Sequence, residues 1–167
     1  AEASRLGVPV LVSMDSVHGL SYVTGATVTP HNLALAATRD EELVTKLAEI
    51  AREEHIAIGV RMTLSPEADI ATEPRWGRVM ETFGEDGDLV TQMTRDQVVA
   101  FQNGADGLNP GGIVACLKHF PGHGSTKTDS HDGAATVDKT LPQLRQEDLK
   151  PFVSGIAAGA DMVMVGH

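Results

Sequence analysis

Apolar residues run through this chain in blocks of two kinds. Uninterrupted apolar blocks rich in Val, Ile, Leu and Met recur at residues 8–15 (VPVLVSMD), 57–64 (AIGVRMTL), 112–120 (GIVACLKHF) and 161–167 (DMVMVGH). Between them lie stretches with helical period. In residues 38–55, Leu43, Leu47, Ile50 and Ala51 form one stripe, and Thr38 and Glu41 have capping-box spacing. In residues 86–103, Val90, Met93, Val98 and Phe101 fall on one side. A third helical region opens at Thr140, is expected to break near Pro151, and stops at Gly159. Strands apolar on both faces, each separated by a helix, predict an α/β chain of βα units around a buried parallel sheet. No linker, low-complexity tract or heptad array interrupts them. The strands end in polar groups: Asp15 after the first, Lys118 and His119 in the third, His167 after the fourth. Sites in parallel α/β folds gather beyond the carboxyl ends of strands, so these residues are expected to share one.

Composition narrows the partners. The chain has 167 residues, 41% of them apolar, which is enough for one core. Lys and Arg total 13 against 23 Asp and Glu, a formal charge of -10 that repels nucleic acid and anionic membrane surfaces. No apolar run approaches the roughly 20 residues of a membrane span. Cys116 is the single cysteine, so no internal disulfide forms, and a buried thiol is expected. The opening AEASRLG and closing DMVMVGH read as the cut ends of a longer protein, which leaves its compartment open.

Three segments carry chemistry. The first is ACLKHFPGHGSTKTDSHDG, residues 115–133. Pro121, Gly122 and Gly124 prevent a helix here, so the i, i+4 spacing of His119 and His123 does not put them on one face for zinc. The glycines suggest backbone bent closely around something. Lys118 and His119 are either donors aimed into a pocket or a solvated lysine beside a half-buried imidazole. Asp129 and His131 flank one serine; a carboxylate so placed can fix the imidazole tautomer and suit it to proton transfer near neutral pH. The same short pattern also occurs without function. The second segment is SPEADIATEPRWGRVMETFGED, residues 65–86. There Trp76 lies between Arg75 and Arg78, and the arginine forks and the aromatic face either hold a ligand or form a surface ion-pair cluster around a structural Trp. The third is SMDSVHG, residues 13–19, where Asp15 can accept from hydroxyls or cap a turn.

Taken together and in this order, these segments resemble glycoside hydrolase family 3 over nearly the whole chain. DSVHG, the ATVTPHNLALAATRD that follows, EPRWGRVMETFGED and KHFPGHGSTKTDSH all match its motifs, with Glu73 where the family usually has Asp. The resemblance implies that residues 1–167 are a fragment of a single N-terminal catalytic domain. The fold implied is a partial (β/α)8 TIM-type barrel of about four βα units, since a full barrel needs roughly 250 residues. It implies a retaining exo-β-glycosidase acting on terminal β-linked N-acetylglucosamine or glucose through a glycosyl-enzyme intermediate. His131 would be the acid/base and Asp129 its orienting partner. Asp15, Arg78, Lys118 and His119 would hold hydroxyls of the innermost sugar. No metal or organic cofactor is implied. The partners expected are the carbohydrate substrate, the rest of the barrel and a C-terminal domain, with neither nucleic acid nor membrane.

The family's nucleophilic Asp has no counterpart among these residues. The RWGR and DSVHG stretches resemble the β-glucosidase and exo-β-glucanase branch, whereas DSH and the closing MVMVGH resemble the β-N-acetylglucosaminidase branch. An imidazole acid in place of a carboxylic one removes a negative charge. Phosphate could then be tolerated as acceptor, so a glycoside phosphorylase is a further alternative. Outside the class stand a catalytically silent carbohydrate-binding module and a metal-dependent hydrolase built on His119, His123, Asp129 and His131.

Overall fold

A computed structural model describes residues 4–166. Its sheet has four strands in the order β1 (Ser13–Met14), β2 (Met62–Thr63), β3 (Val114–Phe120) and β4 (Met162–Val165). Every neighbouring pair is parallel. Chain order and spatial order therefore coincide, without the reversal that defines a doubly wound sheet. Among the described residues lie five α-helices: α1 (Asn32–Thr38), α2 (Glu41–Ala57), α3 (Gly87–Gln102), α4 (Leu141–Gln146) and α5 (Lys150–Ala157). Sequential parallel strands with helices between them make a sector of a (β/α)8-type barrel.

The expected strands are shorter than their apolar blocks. Residues 8–15 pair only at Ser13 and Met14, and Val8, Val10 and Leu11 are exposed. Among the described residues β1 and β4 each pair on one side only, so nothing extends the outer ladder. Helix starts also differ. Thr38 does not cap α2; it ends α1, where its hydroxyl donates to the Leu35 carbonyl at 2.6 Å. Arg39 then turns through φ 54°, and Asp40 caps α2 by accepting from Leu43 N–H at 2.9 Å. The buried side of α2 is Val44, Ala48, Ala51, Arg52 and His55; of the expected stripe Ala51 is buried and Leu43 and Leu47 pack partly buried against the core, while Ile50 is exposed. Small residues face inward because α3 packs close against them. The α3 expectation holds: Val90, Met93, Val98 and Phe101 are all buried. So does the break near Pro151, which falls between α4 and α5. At the start of α4, Gln143 Oε1 accepts from both the N–H and the hydroxyl of Thr140.

One core joins α2, α3, β3 and α5 through Ala51, Val98, Phe101, Ala115, Leu117 and Phe152. A second joins α1, α2 and α3 through Leu35, Val44, Phe83, Val90 and Met93. At the end of α3 the buried Gln102 ties three elements. Its Nε2 donates to the Gly159 carbonyl at 2.6 Å, and its Oε1 accepts from the N–H groups of Ala115 and Asp161. Cys116 is buried and free, as expected. No helix among the described residues is long and apolar enough to cross a membrane.

Phe101 sits at the junction of α3 with β3 and is 1% exposed. Phe101→Ala should cost about 3–5 kcal/mol in urea unfolding, and a loss below about 1 kcal/mol would contradict this packing.

Candidate active site

The strand ends deliver charged side chains to one place. β3 delivers Lys118 and His119, the end of β1 delivers Asp15, and the extended segment after β2 delivers Glu67 and Asp69. That segment continues the sheet: Ala68 N–H donates to the Lys118 carbonyl at 2.7 Å, and Lys118 N–H to the Pro66 carbonyl at 3.1 Å. Arg78 enters just before a single 3-10 turn, Val79–Glu81. The peptide bonds Ser65–Pro66, Lys118–His119 and Phe120–Pro121 are cis.

Lys118 is almost fully buried, and its ammonium donates to Asp15 Oδ1 at 2.6 Å and lies 3.2 Å from Glu67 Oε1. Burial works against that charge, but Glu67 and Asp15 outweigh it and hold the lysine above its ordinary pKa. Arg78 is gripped from two sides. Glu81 takes its Nε and Nη2 at 3.0 and 2.7 Å, and Glu67 Oε1 takes Nη2 at 3.1 Å. The third contact of Arg78, Nη1 to His119 Nε2 at 3.0 Å, fixes a tautomer. A guanidinium only donates, so Nε2 of His119 accepts and its hydrogen sits on Nδ1. That Nδ1–H meets Asp69 Oδ2 at 2.9 Å.

Asp69 anchors the bend. Its two oxygens accept the backbone N–H of His119 at 3.0 Å and of His123 at 2.8 Å, besides the His119 ring. Burial opposes its charge, yet these donors prevail and keep the carboxyl below the usual range. His123 is the reverse: burial first, then the charges of His119 and Arg78, push its pKa down, and its Nε2 has no partner. Gly124 passes so close to the Ile70 carbonyl that a side chain there would overlap it. The glycine-rich bend therefore wraps protein backbone, not a ligand.

His131 stands apart from this floor. Its ring is largely exposed, and Nδ1 lies 2.8 Å from Asp129 Oδ1, which also accepts the His131 N–H at 3.0 Å. That N–H is the main cause of a lowered Asp129 pKa. Asp129 Oδ2 rests over Gly77 so closely that a Cβ there would lie 2.7 Å away.

Asp15, Arg78, Lys118, His119 and His131 line one cleft of ≈ 350 Å³, with Leu64, Met164 and Val165 as its apolar wall. Five expected site residues thus converge, and Asp129 supports the fifth from behind. Of the two readings left open for Trp76 and Arg75, the structure shows the structural Trp and the surface ion pair. Trp76 is not a ligand platform: it is buried, edge-on to His123 with ring centroids 5.1 Å apart. Arg75 points to the surface and pairs with Glu73 at 2.7 Å, holding that carboxyl down to about 2. His167 lies outside the described residues. Glu67, Asp69 and Glu81 were missed. A signal existed for the first two: acids at i and i+2 share one face of an extended chain, and Pro66, Ala68 and Ile70 make this segment too apolar for a surface loop.

Asp69, His119 and His123 bring donor atoms within 4.8 Å of one another. Both Asp69 oxygens hold N–H groups, His119 Nδ1 carries its hydrogen, and Nε2 faces a guanidinium. A cation would compete with these hydrogen bonds at Asp69 and His119, and of the three residues only His123 has a ring nitrogen, Nε2, without a hydrogen-bond partner, so the arrangement serves hydrogen bonding first. Asp129 and His131 take no part in that cluster.

A model of the glycosyl hydrolase family 3 N-terminal domain matches residues 1–167. A periplasmic β-glucosidase/β-xylosidase of Dickeya chrysanthemi is 41% identical over 98% of this chain and 26% of its own length. Among solved structures, a family 3 β-N-acetylglucosaminidase from Paenibacillus sp. str. FPU-7 aligns with TM-score 0.87 and 36% identity, covering 96% of this chain and 30% of that one. A β-glucosidase from Listeria innocua aligns with TM-score 0.88 and 35% identity, covering 99% and 22%. The chain spans about a quarter of the length of the curated relatives it matches.

Replacing Asp69 tests the anchor. Asp69→Asn turns one acceptor into a donor facing an N–H and should cost at least about 2 kcal/mol near neutral pH. Because the folded pKa is depressed, the wild-type advantage is complete above pH ~5 and shrinks as pH falls below about 4. Urea unfolding from pH 7 to 3 reads it; an advantage that persists undiminished at pH 3 would contradict the ionised anchor.

Proposed function

Because this chain belongs to glycosyl hydrolase family 3, we propose that it supplies the sugar-gripping half of a retaining exo-β-glycosidase for terminal β-linked glucose or N-acetylglucosamine. One observation carries the reading: hydroxyl-binding residues and a carboxylate-held imidazole line a single cleft with room for one sugar ring. Asp15 accepts from hydroxyls, Lys118 and Arg78 donate to hydroxyl oxygens from the floor, and the Nε2 lone pair of His119 can accept from a hydroxyl in place of Arg78. Their own partners are already fixed, so little ordering remains when sugar arrives. In the first step a carboxylate attacks the anomeric carbon as His131, with Nδ1 held by Asp129, gives the Nε2 proton to the leaving oxygen. In the second step His131 takes a proton from water as the glycosyl-enzyme is hydrolysed.

No residue here corresponds to the family's nucleophile, which we assign to a strand outside residues 1–167. In the same reading, these residues are part of one (β/α)8 domain. Support comes from the exposed apolar rows on its open sides: Val8, Val10 and Leu11 before β1, and Met162, Val163 and Val165 on β4. Further barrel strands would cover them. The names of the relatives support β-glycoside substrates, divided between glucosides, xylosides and N-acetylglucosaminides.

In the full-length enzyme, His131→Ala should lower kcat/KM about 10²–10⁴-fold on glycosides with poor leaving groups, and far less on nitrophenyl glycosides, whose departure needs no acid. Equal losses of kcat/KM on both would overturn the acid role. Parallel assays on nitrophenyl β-glucoside and β-N-acetylglucosaminide assign the sugar. Added phosphate should leave turnover unchanged; acceleration with release of sugar phosphate would instead identify a phosphorylase.

A further inference from the structure

Glu67 has no part in the chemistry above, yet it touches most of the groups that do. It is fully buried beneath the cleft and does not line it. One oxygen, Oε1, lies 3.1 Å from Arg78 Nη2 and 3.2 Å from Lys118 Nζ, so the two cations share it. The other oxygen, Oε2, is 3.4 Å from His119 Nδ1 and has no hydrogen-bond partner. Charge balance does not demand this carboxyl. Asp15 already pairs with Lys118, Glu81 holds Arg78 on two nitrogens, and Asp69 takes the His119 ring. A fourth acid, buried without water, is costly unless its position matters. Removing it would leave an ammonium and a guanidinium facing each other with nothing between.

We propose that Glu67 is a positioning residue: its shared oxygen sets the spacing of the Lys118 ammonium and the Arg78 guanidinium under the sugar and so governs substrate affinity. The proposal rests on the glycosidase reading above. Its steric logic is one-sided. Lys118 reaches the floor from β3 and Arg78 from the loop before the 3-10 turn, and no backbone contact links those two segments directly among the described hydrogen bonds. Glu67 lies on the segment paired with β3, since residues 67 and 118 form a parallel bridge. Its side chain thus starts from a fixed point beside Lys118 and reaches across to Arg78. Burial first, with the charges of Asp69 and Glu81 beside it, holds the pKa of its own carboxyl well up despite the opposing pull of Lys118 and Arg78.

The test uses three full-length enzymes: wild type, Glu67→Gln and Glu67→Leu. Glutamine keeps an oxygen able to accept from both cations but loses the charge; leucine keeps neither. Both cations bind the ground and transition states alike, so the loss falls on KM and leaves kcat nearly intact. KM for the better nitrophenyl glycoside should rise about 5-fold in Glu67→Gln and about 50-fold or more in Glu67→Leu, with kcat within about 3-fold. A wild-type KM in both variants, or a fall in kcat at constant KM, overturns the positioning role. Should Glu67→Leu fail to fold, the glutamine variant decides alone by the same KM-against-kcat split. A wild-type enzyme that cleaves none of the glycosides overturns the glycosidase reading and this proposal with it, whereas an active wild type with unaffected variants sinks only the role of Glu67.

Discussion

A lysine ammonium closed off from water at the end of β3 is the constraint on which the site depends. An unpaired ammonium there would be expensive, so the fold must bring carboxylates to it. Asp15 comes from β1 and Glu67 from the segment after β2, at 2.6 and 3.2 Å. One buried charge thereby ties together the carboxyl ends of three neighbouring strand segments. Arg78, paired to the same Glu67 and to Glu81, extends the tie to the next loop. His119 and Asp69 extend it back into the bend after β3.

The polar groups fall into two populations with different physical requirements. On the floor, Lys118, Arg78, His119 and Asp69 are at least nine-tenths buried and hydrogen-bonded, so their directions are set before a ligand arrives. Low dielectric strengthens each contact there and penalises any misplacement. The Asp129–His131 pair is the opposite case, a short hydrogen bond on an exposed loop resting over Gly77. Exposure suits the acid/base role proposed for His131, whereas a buried imidazole such as His123 is driven toward its neutral form.

Legibility varied by residue for identifiable reasons. Asp15, Lys118 and His119 could be read because strand ends in parallel α/β folds point at one region. Arg78 and Trp76 looked alike in sequence, two residues apart in a charged loop, yet one lines the cleft and the other packs beneath it. Nothing local separates them; the difference comes from which side of the loop meets His123. Thr38 was the expected cap of α2, but the short helix α1, which the periodicity did not reveal, took Thr38 as its end and left the cap to Asp40. The two glycines around His123 suggested backbone bent closely around something, and at Gly124 that something is the Ile70 backbone.

By itself the sequence determined the alternation of strands and helices, the inward face of α3, the family and the residue types gathered at the strand ends. Those properties follow from periodicity and from motifs written in consecutive residues. Tertiary structure alone decided that Glu67 and Asp69 lie beneath the cleft, that Arg78 fixes the His119 tautomer, and that Trp76 is core. These depend on contacts between residues 11 to 54 positions apart, and no local rule encodes which buried charge will face which.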